Sequence, residues 1–159
     1  MLPDKLLLVR IIRFLDHVLD DFSDEWFYRP AVGSRWSYPA NTVTAGWQLA
    51  EELVTGQGVP AAMIRELVTQ AMTASLPRLG VTEDNIDAWM SEVYVRWLHA
   101  LEPHLSSGGY LLGARPSIAD FAIFGANVAH FVGDPYCREL ADAVTMKWPN
   151  GWESFSRSR

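Results

Sequence analysis

Four histidines, one cysteine and a serine–aspartate pair are the residues of this 159-residue chain whose types and spacing invite a chemical reading. The histidines do not make a metal set. His17 is isolated, and His130 sits in an apolar stretch. His99 and His104 fall about 140° apart on a helix of ~3.6 residues per turn, so they cannot both face one ion. Cys137 follows Pro135, near an expected helix start that would favour a thiolate; the alternative is an inert apolar filler. As the sole cysteine it cannot form an intramolecular disulfide, which fits a reducing cytoplasm.

Ser117 and Asp120 have the spacing of a capping box. The serine hydroxyl accepts from the third helical N–H, and the carboxylate reaches back to the N–H of Ser117, so two donors without helical partners are satisfied. Pro116 and Phe121 can form the apolar staple beside it, and Gly113 permits the turn ahead of it. The pair is assigned to folding, and no residue is assigned a catalytic role.

The elements that must position these groups read as helices. Leu8, Ile11, Ile12, Leu15, Val18, Leu19, Phe22 and Trp26 recur at three- and four-residue steps, predicting a long first helix with one inward stripe that Pro30 and Gly33 end. A second helix is expected from about Thr42 to Val54, stopping at Gly56, and a third from Pro60 to about Leu76. The fourth, with Thr82 as its cap, carries Ile86, Trp89, Met90, Val93, Trp97, Leu98 and Leu101 before Pro103 and the loop Ser106 to Gly109. The capped helix from Ile118 to about Val132 is apolar nearly all round, which predicts a central rod surrounded by others. A last helix begins near Pro135 and fades by residues 148–151. No alternating strand pattern or repeat is visible, so the expectation is all-α, a bundle of about six helices.

Length and composition suit one domain over 1–159, with a core over about 6–148. A net charge of −6 without a Lys/Arg cluster argues against a nucleic-acid surface, and the basic Arg157-Ser-Arg159 reads as a frayed end. Asp4, Lys5, Arg10 and Arg13 break the order of a signal peptide, and no run approaches a membrane span. These observations predict a cytoplasmic protein without a membrane partner.

The run Tyr110-Leu-Leu-Gly-Ala-Arg-Pro-Ser-Ile-Ala-Asp-Phe-Ala122, followed by an apolar helix and Phe131-Val-Gly-Asp-Pro135, resembles the core of the C-terminal helical domain of glutathione transferases. Asp21-Phe-Ser-Asp-Glu-Trp26, with Arg35-Trp36 after it, is similar to the opening helix of that domain in bacterial glutathione transferase-like proteins. In that family a preceding thioredoxin-like domain holds glutathione, and the βαβ pattern it requires is missing here. The resemblance therefore implies a detached helical half, with Met1 to Asp4 as the end of the joining linker. Such a half binds no cofactor alone; glutathione would be co-substrate once a thioredoxin-like domain is supplied in cis or in trans. Since the chemistry needs both an activated thiol and a positioned electrophile, the half is catalytically incomplete by itself.

What the resemblance assigns to this half is the apolar wall for a hydrophobic small-molecule electrophile, and a dimer interface. The candidates are Trp26, Tyr28, Arg35, Trp36 and Trp47, with Arg35 attracting an anion or serving as a salt-bridge partner, and the tryptophans serving as wall or core. Asp21 and Asp24 could approach glutathione across a homodimer, or be solvated helix-end charges. The alternative function is a non-catalytic protein-interaction module on the same fold. A ligand-binding bundle attached to a transcriptional regulator is ranked last, because no basic helix-turn-helix accompanies it.

Overall fold

The structure, a computed structural model, describes residues 5–106 and 109–144. The expected linker end at 1–4, residues 107–108 of the loop, the fading of the last helix at 148–151 and the basic tail lie outside the described residues. Within them every regular element is helical: α1 (Lys5–Asp21), α2 (Tyr28–Ser37), α3 (Pro39–Val54), α4 (Arg65–Ser75), α5 (Ile86–Trp89), α6 (Arg96–Ser106), α7 (Ile118–Ala126) and α8 (Pro135–Ala143). Three π-helical turns, Phe22–Trp26, Met90–Val95 and Asn127–Phe131, extend or join these, and 3-10 turns flank α4. Joined through those turns, the elements make six rods among the described residues, an all-α architecture. No described helix is long and apolar enough to cross a membrane.

The expected stop at Pro30 and Gly33 does not occur. Both lie inside α2, fully buried. The reason is the π turn ahead of them: Phe27 N–H bonds the Phe22 carbonyl at 2.9 Å, and the added residue resets the ladder so that Pro30 falls in the first turn of α2, where a missing N–H is tolerated. Gly33 is retained in a helix because Val81 and Ile86 pack directly on it; a Cβ there would meet Ile86 Cδ1 at 2.8 Å. Pro103 likewise lies within α6 rather than ending it. It and His99, whose carbonyl loses a donor, are exposed, so water can replace the missing bond.

Three other starts differ from expectation. α3 begins at Pro39, three residues before Thr42, because proline suits the first helical position. α4 follows a separate 3-10 turn, Ala61–Met63, instead of running on from Pro60. Before α5 the side chain of Asn85, not Thr82, does the local work: its Oδ1 accepts Thr82 N–H at 2.9 Å and its Nδ2 donates to the Gly80 carbonyl at 2.8 Å.

The core centres on an aromatic stack where α2, the second π turn and the third π turn meet. Tyr94 and Phe131 lie face to face with centroids 4.1 Å apart, and Phe27 sits 4.9 Å from Phe131. Leu98, Met90, Trp36, Val81 and Ile86 complete it. A buried polar knot then fixes α8. Asn41 Oδ1 accepts Tyr136 N–H at 2.8 Å, its Nδ2 donates to the Ser34 carbonyl at 3.1 Å, and Tyr94 O–H donates to the Cys137 carbonyl at 3.1 Å. One N–H at the α8 start that has no helical partner is thereby satisfied by a side chain from α3.

α7 is not the surrounded rod its composition predicts. Only Ala119 and Ile123 of it are buried, while Phe121 is 67% and Ile118 53% exposed. The apolar stripe of α1 is likewise uncovered: no residue of α1 is fully buried, and Leu7, Ile11, Phe14 and Val18 are all exposed. The two helices pack along each other, joined where Asp16 Oδ1 accepts the N–H of Ala119 at 2.9 Å. Each covers one side of the other, and their remaining apolar sides face outward.

Candidate ligand cleft

A cleft of about 410 Å³ opens between the segment leading into α2 and the rod of α7 with its π turn. One wall is Ser23, Asp24, Tyr28 and Ala31; the other is Ala122, Gly125, Ala126, Ala129 and His130, with Phe121 at the edge. The second wall recedes because its residues are small. Ala122, Gly125, Ala126 and Ala129 recur at three- and four-residue steps, which places them on one side of the helix, and a Cβ added at Gly125 would meet nothing within 4 Å. That stripe of small residues was the signal in the sequence that could have located the cleft.

The helix carrying this wall is started by the capping box. Ser117 and Asp120 form it reciprocally, with Ser117 in extended backbone. Besides the Ser117 N–H at 2.8 Å that the box requires, the Asp120 carboxylate takes Ser117 O–H at 3.0 Å and, from the preceding turn, Leu111 N–H at 3.0 Å. Asp16 adds an acceptor from α1, and these hydrogen bonds, led by that to Ala119, hold its carboxyl below the usual carboxylate value. Two carboxylates at one helix start also complement its macrodipole.

Behind the second wall lies an ion pair. Arg35 Nε meets Asp134 Oδ2 at 3.0 Å and Nη2 meets Oδ1 at 3.0 Å, a fork on a fully buried carboxylate. Nη2 also donates to the carbonyl of Ala129 at 2.7 Å, tying the pair to the cleft wall. Burial lifts the Asp134 carboxyl above its ordinary value despite the pull of Arg35. Next to it, burial and then the Arg35 charge push His130 down to about 4, so its imidazole is uncharged at neutral pH; its Nδ1 is buried without a hydrogen-bond partner.

The five residues assigned from the sequence fall in separate places. Tyr28 lines the cleft. Trp26 packs against Trp89 with ring centres 5.7 Å apart and planes tilted by 48°, and the Arg29 guanidinium lies 5.6 Å from its ring centre. Trp36 is 4% exposed, in the core, and Trp47 lies on α3 beneath the Arg65 guanidinium at 5.1 Å. Arg35 is held by Asp134 and two carbonyls, which leaves its charge matched rather than offered to an anion. Asp24 lines the cleft, whereas Asp21 does not. Cys137 is fully buried, and burial raises its thiol to about 11. Among the described residues no three His, Cys, Asp or Glu side chains converge as a metal set would.

The residues that sequence reasoning missed are Asp134, Asp16 and His130 in these roles. In the sequence Asp134 stands only as part of the Phe131–Pro135 motif, and Asp16 as one polar position of the first helix. Neither has a local signal, because their partners lie 99 and 103 positions away. In comparison with known proteins, no family model, no curated protein and no solved structure matches this chain at a significant level.

Proposed function

We propose that this chain is the helical, ligand-holding half of a glutathione transferase-like protein, acting in the cytoplasm. The observation that carries this reading is the cleft, whose two walls come from the two segments that bear the sequence resemblance, 21–36 and 110–135. Its volume falls in the range of small-molecule sites, and its lining of small apolar groups with a few polar ones suits a flat, largely apolar electrophile. The chain supplies the wall; the glutathione thiolate comes from a thioredoxin-like domain seated on the exposed apolar side of α1, in cis or in trans. Alone, the chain concentrates an electrophile without activating a thiol.

Binding of a neutral apolar fluorophore such as 1-naphthalenemethanol tests the cleft. Micromolar to submillimolar binding that Gly125→Phe abolishes, with unchanged far-UV circular dichroism, is the expected result, since that ring would occupy open space. Conjugation of an aryl halide with glutathione should stay at the uncatalysed rate for the chain alone. Catalysis by the isolated chain, or fluorophore binding indifferent to Gly125→Phe, overturns the reading.

The exposed stripe Leu7, Ile11, Phe14 and Val18 favours a second reading, a protein-interaction module that pairs with a second copy of itself. The stripe steps by four, three and four, as a coiled-coil seam does. Lys5, Arg10 and Arg13 lie toward the start of α1, and Asp20 and Asp21 at its end, so an antiparallel pair would match opposite charges. Sedimentation that gives a dimer for the native chain and a monomer for Phe14→Glu supports it; a monomer for both discards it.

A further inference from the structure

We infer that the cleft selects a cationic apolar ligand, an ammonium carried on a flat hydrophobic body, with Asp24 as its counter-ion. This rests on the cleft being a ligand site, as proposed above, and names the charge of what it takes.

The argument is the balance of charge around the opening. Among the described residues Asp24 is the one carboxylate in the lining, and no Lys or Arg lines the cleft. His130, the other titratable imidazole or carboxyl in the lining, is uncharged there because burial and Arg35 depress its protonation. Arg35 and Arg29, which adjoin lining residues, are committed. Arg35 lies behind the wall, neutralised by the Asp134 fork, and Arg29 donates to the Glu25 carbonyl while lying over the rings of Trp26 and Trp89. Asp20, Asp21 and Glu25 stand on the turns beside Asp24, so the segment 20–25 carries four carboxylates and no cation. The field at the mouth is therefore negative.

The lining supplies the other half of the recognition. Tyr28 and Phe121 present aromatic rings at the opening, which attract a cation over their faces, and the small residues below admit an apolar body. A carboxylate ligand meets the opposite situation: it is repelled by Asp24 and finds no free cation in the lining. Because Asp21, Asp24 and Glu25 are exposed, the discrimination is modest and screened by salt.

Three probes of one shape separate the possibilities: 1-naphthylmethylamine, 1-naphthalenemethanol and 1-naphthoate, titrated against the native chain by fluorescence at pH 7. At low salt the amine should bind about five- to tenfold more tightly than the carboxylate, the size expected of one exposed charge acting with opposite sign on the two. Raising the salt to about 1 M should bring the ratio to near one. Asp24→Asn should collapse the ratio and Asp24→Lys invert it, while Glu83→Gln on the distant loop should leave it unchanged; taking the ratio within each variant removes any general loss of affinity. Equal or tighter binding of the carboxylate, or a ratio that survives Asp24→Asn, overturns the inference while the alcohol's binding leaves the cleft standing. Failure of the alcohol itself to bind removes the cleft reading, and this inference with it.

Discussion

Arg35 and Asp134, 99 residues apart, are joined by a forked ion pair in which both carboxylate oxygens lie 3.0 Å from guanidinium nitrogens. The pair stitches α2 to the start of α8 and, through the Ala129 carbonyl, to the cleft wall. Asp134 precedes Pro135 at the N-cap position of α8, where its backbone carbonyl accepts Arg138 N–H at 3.0 Å while its side chain is given to Arg35.

Breaking this pair leaves the other charge buried. Arg35→Ala should cost roughly 3–5 kcal/mol, and Arg35→Lys a substantial part of it, because an ammonium cannot reproduce the fork. Urea unfolding midpoints of the two variants measure this. A loss below about 1 kcal/mol for Arg35→Ala would show that the pair is dispensable.

His130 makes stability depend on pH. Its folded value of about 4 lies below the ordinary 6.5, so the unfolded chain binds the proton more tightly. Its share of stability is complete above about 6.5 and lost as pH falls toward 4, on the order of 3 kcal/mol in all. Asp134 acts in the opposite sense: its raised carboxyl favours the folded state at low pH, and that share declines as pH rises above the ordinary carboxylate value. His130→Leu removes a buried nitrogen without a partner, so it should be neutral or stabilising at pH 7 and should flatten the decline between pH 6.5 and 4. Denaturant midpoints at pH 7.5 and 5 for both proteins settle it; an identical slope in the variant contradicts the assignment.

Asp120 carries more than its serine partner. Asp120→Ala removes the acceptor for Leu111 N–H and Ser117 N–H together, and should cost about 1–3 kcal/mol, more than Ser117→Ala. Thermal unfolding of the two single variants orders them; an equal or larger loss for Ser117→Ala would mean that the hydroxyl half dominates.

Cys137 should be silent toward thiol reagents in the native state. It is fully buried, its thiol donates to Ser34 Oγ at 3.2 Å, and burial raises it to about 11. Reaction with an aromatic disulfide at pH 8 should be slow natively and complete in guanidinium chloride. Rapid native labelling would place the thiol at an accessible surface.

The residues alone determined that this chain is helical and how several helices begin and end. Ser117 and Asp120 are three positions apart, Gly56 holds a positive φ just after α3 stops, and Pro135 sits in the first turn of α8. Such features are decided by hydrogen bonds within about four residues, so spacing suffices to read them. Periodicity located the stripes of α1 and α7 but not whether anything covers them, because an apolar side becomes core only if a distant segment packs on it. Tertiary structure made that choice, leaving Phe14 and Phe121 outward while Phe27, Tyr94 and Phe131 closed the core. It also brought Arg35 to Asp134 and Asp16 to Ala119, and it alone decided that the gap beside Gly125 is a cleft, since empty space is a relation between two elements and has no residue of its own.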